Sequence, residues 1–159
     1  MTHHAITPLG AIGRGLLAGA AGTAAMTACQ LAVMKVQGGE SSTVPGQVAQ
    51  RVGEGVFMRK LPDEKLGMLT QVVHWTYGTG WGAVYGAAQS SLHLPAPVHG
   101  VLFGVVNWTA GSVVGLPAMQ FAPPVWERPA KGNAMEIGYH LVYGVATALT
   151  YRLLTPKHR

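Results

Sequence analysis

The sequence predicts an all-α integral membrane protein, a four-helix bundle with a short interfacial helix in its first long loop. Three observations carry that prediction. Charged residues make up only 11% of the 159-residue chain, against roughly 25% in soluble domains. Apolar residues reach 48%, and glycine occurs 22 times. Between Leu66 and Trp126 there is no Asp, Glu, Lys or Arg, and a soluble domain would have to turn part of such a run toward water. About 20 apolar residues suffice to cross a bilayer, so this run holds two spans joined by a tight turn.

The first span covers residues 15 to 34, GLLAGAAGTAAMTACQLAVM. MTAC before Gln30 loosely resembles a lipoprotein cleavage site, but apolar residues continue past Cys29, so the segment reads as a retained span. Cys29 is the only cysteine and has no intrachain partner for a disulfide. The link from 36 to 65 is the most polar stretch. Within it Val44, Val48 and Val52 recur every four residues behind Thr43 and Pro45, the pattern of a short helix on a membrane surface, with an irregular loop as the alternative.

The second span covers 66 to 88 and ends in QSSLHLPAP, where Pro95 and Pro97 stop one helix and start the next. Residues 98 to 121 form the third span. A proline-rich link, APPVWERPAKG, carries Trp126 at interface depth and leads to the fourth span, 134 to 154. None of the four shows the ten-residue alternation of an outer-membrane barrel. Residues 1 to 159 therefore read as a single transmembrane domain.

Four spans place both termini on one side, with Arg14, Arg152, Lys157 and Arg159. The first and third links carry Lys35, Arg51, Arg59, Lys60, Lys65, Arg128 and Lys131. The positive-inside rule leans those links toward the cytoplasm, by a margin that leaves the orientation open. Although the pI is near 9.7, the bases flank spans and form no run, so they suit lipid headgroups rather than nucleic acid.

Each span gathers its small residues on one face. Gly78, Gly82 and Gly86 repeat every four residues in the second span, and His74 lies one turn earlier. Gly100, Gly104, Asn107 and Gly111 share a stripe in the third. In the fourth, Glu136, His140, Gly144 and Ala148 follow one another at the same spacing. Such ladders let membrane helices approach closely, within the chain, in a homo-oligomer or in a larger membrane complex.

Depth along the spans predicts one buried polar cluster, His74 with Glu136 and His140, and places Asn107 nearer the middle. A carboxylate beside imidazoles in a low dielectric is the makeup of interhelical hydrogen bonding or of a proton or ion path. Two histidines could also hold a metal or haem, but the di-iron Glu-x-x-His spacing and the CxxCH motif are both missing. The expectation is that no metal and no cofactor is bound. No nucleophile elbow, phosphate loop or HExxH motif occurs, so no catalytic residue is assigned and the chain is expected not to be an enzyme. Tyr77, Trp81 and Tyr85 read as lipid-facing or packing surface.

From Gly100 to Tyr143 the pattern GxxxG, Pro117, Met119, PPV at 123 to 125, Pro129, Asn133 and ExxxHLV at 136 to 142 resembles the YagU-like inner-membrane proteins. Weaker echoes lie at His74, Tyr77, Trp81 and Tyr85. Ser112 stands where that pattern carries a histidine, so the resemblance implies no three-histidine site. It implies a small multi-pass protein of the bacterial inner (cytoplasmic) membrane, and an address rather than an activity.

Overall fold

A computed structural model describes residues 7–38, 42–58, 62–92 and 94–155. Arg59, Lys60, Lys157 and Arg159, counted above in the charge balance, lie outside them. Among the described residues every regular element is a helix, and there is no strand.

Helix α1 runs from Pro8 to Gln37. It starts seven residues before the expected span because Thr7 Oγ1 accepts the Gly10 N–H at 3.1 Å and Pro8 occupies the first turn, a ready-made N-terminus. It stops at Gly38, whose φ of 68° no longer continues the helix. At about 1.5 Å per residue, its 30 residues extend about 45 Å.

Helix α2, Val44–Phe57, occupies the site of the expected short helix and resolves the choice between helix and loop. It docks on α3, Leu66–Leu92, through Gly46. The Gly46 N–H donates to Thr70 Oγ1 at 3.1 Å, and that hydroxyl donates to the Leu66 carbonyl at 2.8 Å. A Cβ on Gly46 would meet both acceptors at 2.5 Å, so the two helices touch only because this position is bare.

The turn expected at 89 to 97 is shorter than its sequence suggests. Helix α3 continues to Leu92, and Gln89 Nε2 donates to the Leu94 carbonyl at 2.8 Å, closing the reversal before α4 begins at Ala96.

The third expected span is not one regular helix. Helix α4, Ala96–Trp108, passes into a π-helical stretch, Thr109–Gly115, and then into the single turn α5, Leu116–Ala118. The Leu116 N–H reaches back five residues to Gly111. Pro117 supplies the reason, because it has no N–H and its ring crowds the carbonyl four residues earlier, so the preceding turn widens.

The end of α5 closes as a Schellman turn. The Phe121 N–H bonds the Leu116 carbonyl and the Gln120 N–H bonds the Pro117 carbonyl, both at 2.9 Å. Gln120 takes a left-handed φ of 59°, where glycine is the usual residue. Gln120→Gly is accordingly expected to raise the melting temperature, by a gain of about 0.5–1 kcal/mol after the entropic cost of glycine is deducted. Arg51 of α2 reinforces the same corner. Its guanidinium donates to the Met119 carbonyl and lies 4.9 Å above the Phe121 ring.

Helix α6, Ala130–Leu154, completes the set. Helix α1 lies between α3 and α6, and α4 lies along α6. These three interfaces close at glycines. On α1 and α3, a Cβ at Gly82 would overlap the Gly15 carbonyl, and one at Gly19 would stand 2.7 Å from Gly82 Cα. On α4 and α6, a Cβ at Gly104 would stand 2.5 Å from the His140 carbonyl, and one at Gly144 would overlap that of Gly100. Gly22 brings α1 against Tyr143 of α6, its missing Cβ 2.8 Å from that residue's carbonyl.

Helices α3 and α4 stand further apart and are bridged by rings. Tyr85 lies 5.0 Å from Phe103 and 5.5 Å from Tyr151, edge to face, and Phe103 lies 5.7 Å from Tyr143. Tyr85 is 1% exposed, whereas Tyr77 is 44% exposed, so the aromatic ladder of α3 divides between interior and surface.

Burial is inverted relative to a soluble protein. Glycine, alanine, threonine and tyrosine fill the interior, while Leu17, Val84, Val98, Leu102, Val106 and Leu153 face outward. Two helical runs, Pro8–Gln37 and Ala96–Ala118, are long and apolar enough to cross a membrane.

Candidate functional site

The ends of α1, α3 and α6 that lie beside α2 leave a cleft of about 370 Å³ between them. Helix α1 contributes Thr27 and Gln30, α3 contributes Gln71 and His74, and α6 contributes Glu136 and Tyr139. Ser42, just before α2, and Pro45, in its first turn, close one side.

His74 and Glu136 therefore line one cavity. Their hydrogen-bond partners are not each other. His74 Nε2 and Thr27 Oγ1 share a hydrogen bond of 3.1 Å that ties α3 to α1. His140 Nδ1 donates to the backbone carbonyl of Glu136 at 2.8 Å, an i to i−4 bond that turns its ring along its own helix. It lies within electrostatic range of His74 but outside the cleft lining.

The Glu136 carboxylate is answered by Arg128. Nη1 of Arg128 lies 3.4 Å from Glu136 Oε2, Nε donates to the Pro123 carbonyl at 2.7 Å, and Nη2 donates to the Ser112 carbonyl at 2.9 Å. The last contact explains the arrangement. In the π register the Ser112 carbonyl would be served by the N–H of residue 117, which is proline, so a backbone acceptor is left vacant and the guanidinium takes it. With Asn133 Nδ2 donating to the Val125 carbonyl at 2.6 Å, the proline-rich link folds back onto the start of α6 and carries Arg128 inward, to 12% side-chain exposure.

Asn107 stands apart from these groups. It is 4% exposed on α4, and its Nδ2 has no hydrogen-bond partner among the described residues. Of the ladder glycines, Gly78, Gly82, Gly86, Gly100, Gly104 and Gly144 all meet a neighbouring helix within 3 Å of a hypothetical Cβ. Gly111 meets only the Tyr77 hydroxyl, at 3.6 Å, because it lies inside the widened turn that rotates the stripe away from α6. Among the described residues no three His, Cys, Asp or Glu side chains converge as a metal site requires.

Two participants escaped the sequence reading. Thr27 continues the ladder Gly15, Gly19, Thr23 at four-residue spacing, a signal present in the sequence. Arg128 counted only as a link charge, and its role depends on a chain reversal that local pattern does not encode.

The sequence matches the model of the family described as Protein of unknown function (DUF1440) over residues 43–149, about two-thirds of the chain. The chain belongs to this family. The DUF1440 match begins at α2 and includes His74, Asn107, Arg128, Glu136 and His140, whereas α1, which supplies Thr27 and Gln30, lies before it. No curated protein and no solved structure matches the chain significantly.

Proposed function

We propose that this DUF1440 chain is a YagU-like integral protein of the bacterial inner membrane. Helices α1, α3 and α6 and the run Ala96–Ala118 cross the bilayer, α2 lies at the interface, and the chain acts as a non-enzymatic structural or accessory component. The observation that carries the reading is the inverted burial: small and hydroxylated residues inside, leucine and valine outside. Without a hydrophobic drive between helices in lipid, close backbone packing is what holds such an assembly together, and three of the helix interfaces have that form.

The polar groups support a structural role over a proton path. Glu136 is held by Arg128, His74 by Thr27, and His140 by a carbonyl of its own helix, so each bond fixes the geometry of its own helix or link. Since the inward ladders of α3, α4 and α6 are occupied within the chain, an oligomer or larger membrane complex would form through the outer faces.

The test has two parts. In fractionated cells the full chain is expected in the membrane pellet after alkaline carbonate washing, and its release would overturn the membrane assignment. In liposomes, neither the wild type nor Glu136→Gln is expected to carry a proton flux across an imposed pH gradient. A flux seen in the wild type and lost in Glu136→Gln would replace the accessory role with proton conduction.

A further inference from the structure

The geometry points to the cleft between α1, α3 and α6 as a binding site for a small amphiphilic organic cation. This assignment rests on the cavity and its lining, and stands whether or not the chain has the accessory role proposed above.

The volume, about 370 Å³, lies within the range of small-molecule sites. Two chemically distinct walls line it. One is apolar and adaptable, made by Leu31, Val33 and Met34 of α1 with Met135 of α6. Methionine side chains adjust to ligands of differing outline. The other carries the side-chain amides of Gln30 and Gln71, the Tyr139 ring and the Glu136 carboxylate. Among the described lining residues Glu136 is the one carboxylate, His74 adds an imidazole already bonded to Thr27, and no Lys or Arg is present.

That lining selects by charge. An anionic headgroup or phosphate would face a carboxylate in a lining that, among the described residues, holds no Lys or Arg. A cation would find an opposite charge, amide oxygens for ion–dipole contact, and an aromatic face. Arg128 does not cancel the attraction. Its guanidinium divides among the Pro123 and Ser112 carbonyls and a long 3.4 Å contact to Glu136 Oε2, while Glu136 Oε1 has no partner among the described residues. The carboxylate side chain remains 40% exposed, so a ligand can reach it.

The experiment is equilibrium dialysis of the full chain in mild detergent with radiolabelled benzyltrimethylammonium. Its neutral isostere neopentylbenzene and the anion benzylsulfonate serve as comparisons. Saturable binding of one cation per chain is expected, at least ten times tighter than either comparison. Glu136→Gln is expected to erase that preference. Gln71→Leu and Tyr139→Leu, which leave the Arg128 contacts in place, are expected to weaken cation binding several-fold, the first at an unchanged melting temperature and the second at a somewhat lower one, because the Tyr139 ring packs against the core. Those two variants keep the test decisive if Glu136→Gln fails to fold. Absence of saturable binding, equal affinity for the neutral isostere, tighter binding of the sulfonate, or full affinity in both leucine variants would each overturn the assignment.

Discussion

Gly82→Leu is expected to separate α1 from α3 and to cost the protein its native packing, a loss of about 3 kcal/mol or more. The contact has no slack. A Cβ at this position would overlap the Gly15 carbonyl and stand 2.5 Å from Gly19 Cα and 2.7 Å from Gly19 N, all of them backbone atoms of the facing helix. No rotamer change can relieve a clash with backbone, so the helices must part. The neighbouring ladder positions Gly78 and Gly86 would lose their contacts at the same time. Gly80 provides the control, since it lies on the same helix two residues away with nothing within 4 Å of its missing Cβ. Gly80→Leu is expected to leave the melting temperature unchanged or slightly raised, as leucine is the better helix former. Melting followed by circular dichroism in detergent, with limited proteolysis, reads both variants. Equal behaviour of the two would show that the close approach is not what holds α1 to α3.

Arg128→Ala is expected to be the most damaging change among the polar residues, at about 2 kcal/mol. The side chain serves three acceptors at once, and two of them, the Ser112 and Pro123 carbonyls, are backbone groups left without this donor. The Ser112 carbonyl belongs to a buried residue, where an orphaned acceptor costs about 1–3 kcal/mol, whereas the exposed Pro123 carbonyl and the part-exposed Glu136 carboxylate add little. The damage should be local first. The 109–115 stretch and the link to α6 are expected to gain hydrogen exchange before the α1–α3 pair does. Glu136→Gln should cost far less, within about 1 kcal/mol, because the carboxylate is partly exposed and its contact with Arg128 is long. If the two substitutions destabilised equally, the salt bridge and not the carbonyl capping would be the source of stability.

Helix content, the places where the chain reverses, and the small-residue faces of α1, α3, α4 and α6 were legible in the sequence. They follow from local rules: apolar length, proline and capping positions, and the four-residue repeat of glycine. The short helix α2 was legible for the same reason, through Thr43, Pro45 and three valines one turn apart. Counting depth along helices of known rise gives the expectation of one cluster of His74, Glu136 and His140; the cleft lining holds the first two, and His140 lies outside it.

What the sequence left open depends on contacts between segments distant in the chain. Each polar side chain had several possible partners, and the three-dimensional path of the backbone chose among them. Thr27 captured His74 because glycines bring α1 against α3, and His140 turned to its own helix. Pro117 was visible, yet its consequence was not: a widened turn, a vacant Ser112 carbonyl, and a proline-rich link folded so that Arg128 fills the vacancy and meets Glu136. The sequence by itself determined an all-helical chain with glycine-lined faces and a carboxylate among apolar neighbours, because periodicity and composition are local. Only the tertiary structure decided which group answers that carboxylate, because a hydrogen bond is selected by distance in space and by which acceptors the backbone has left unpaired.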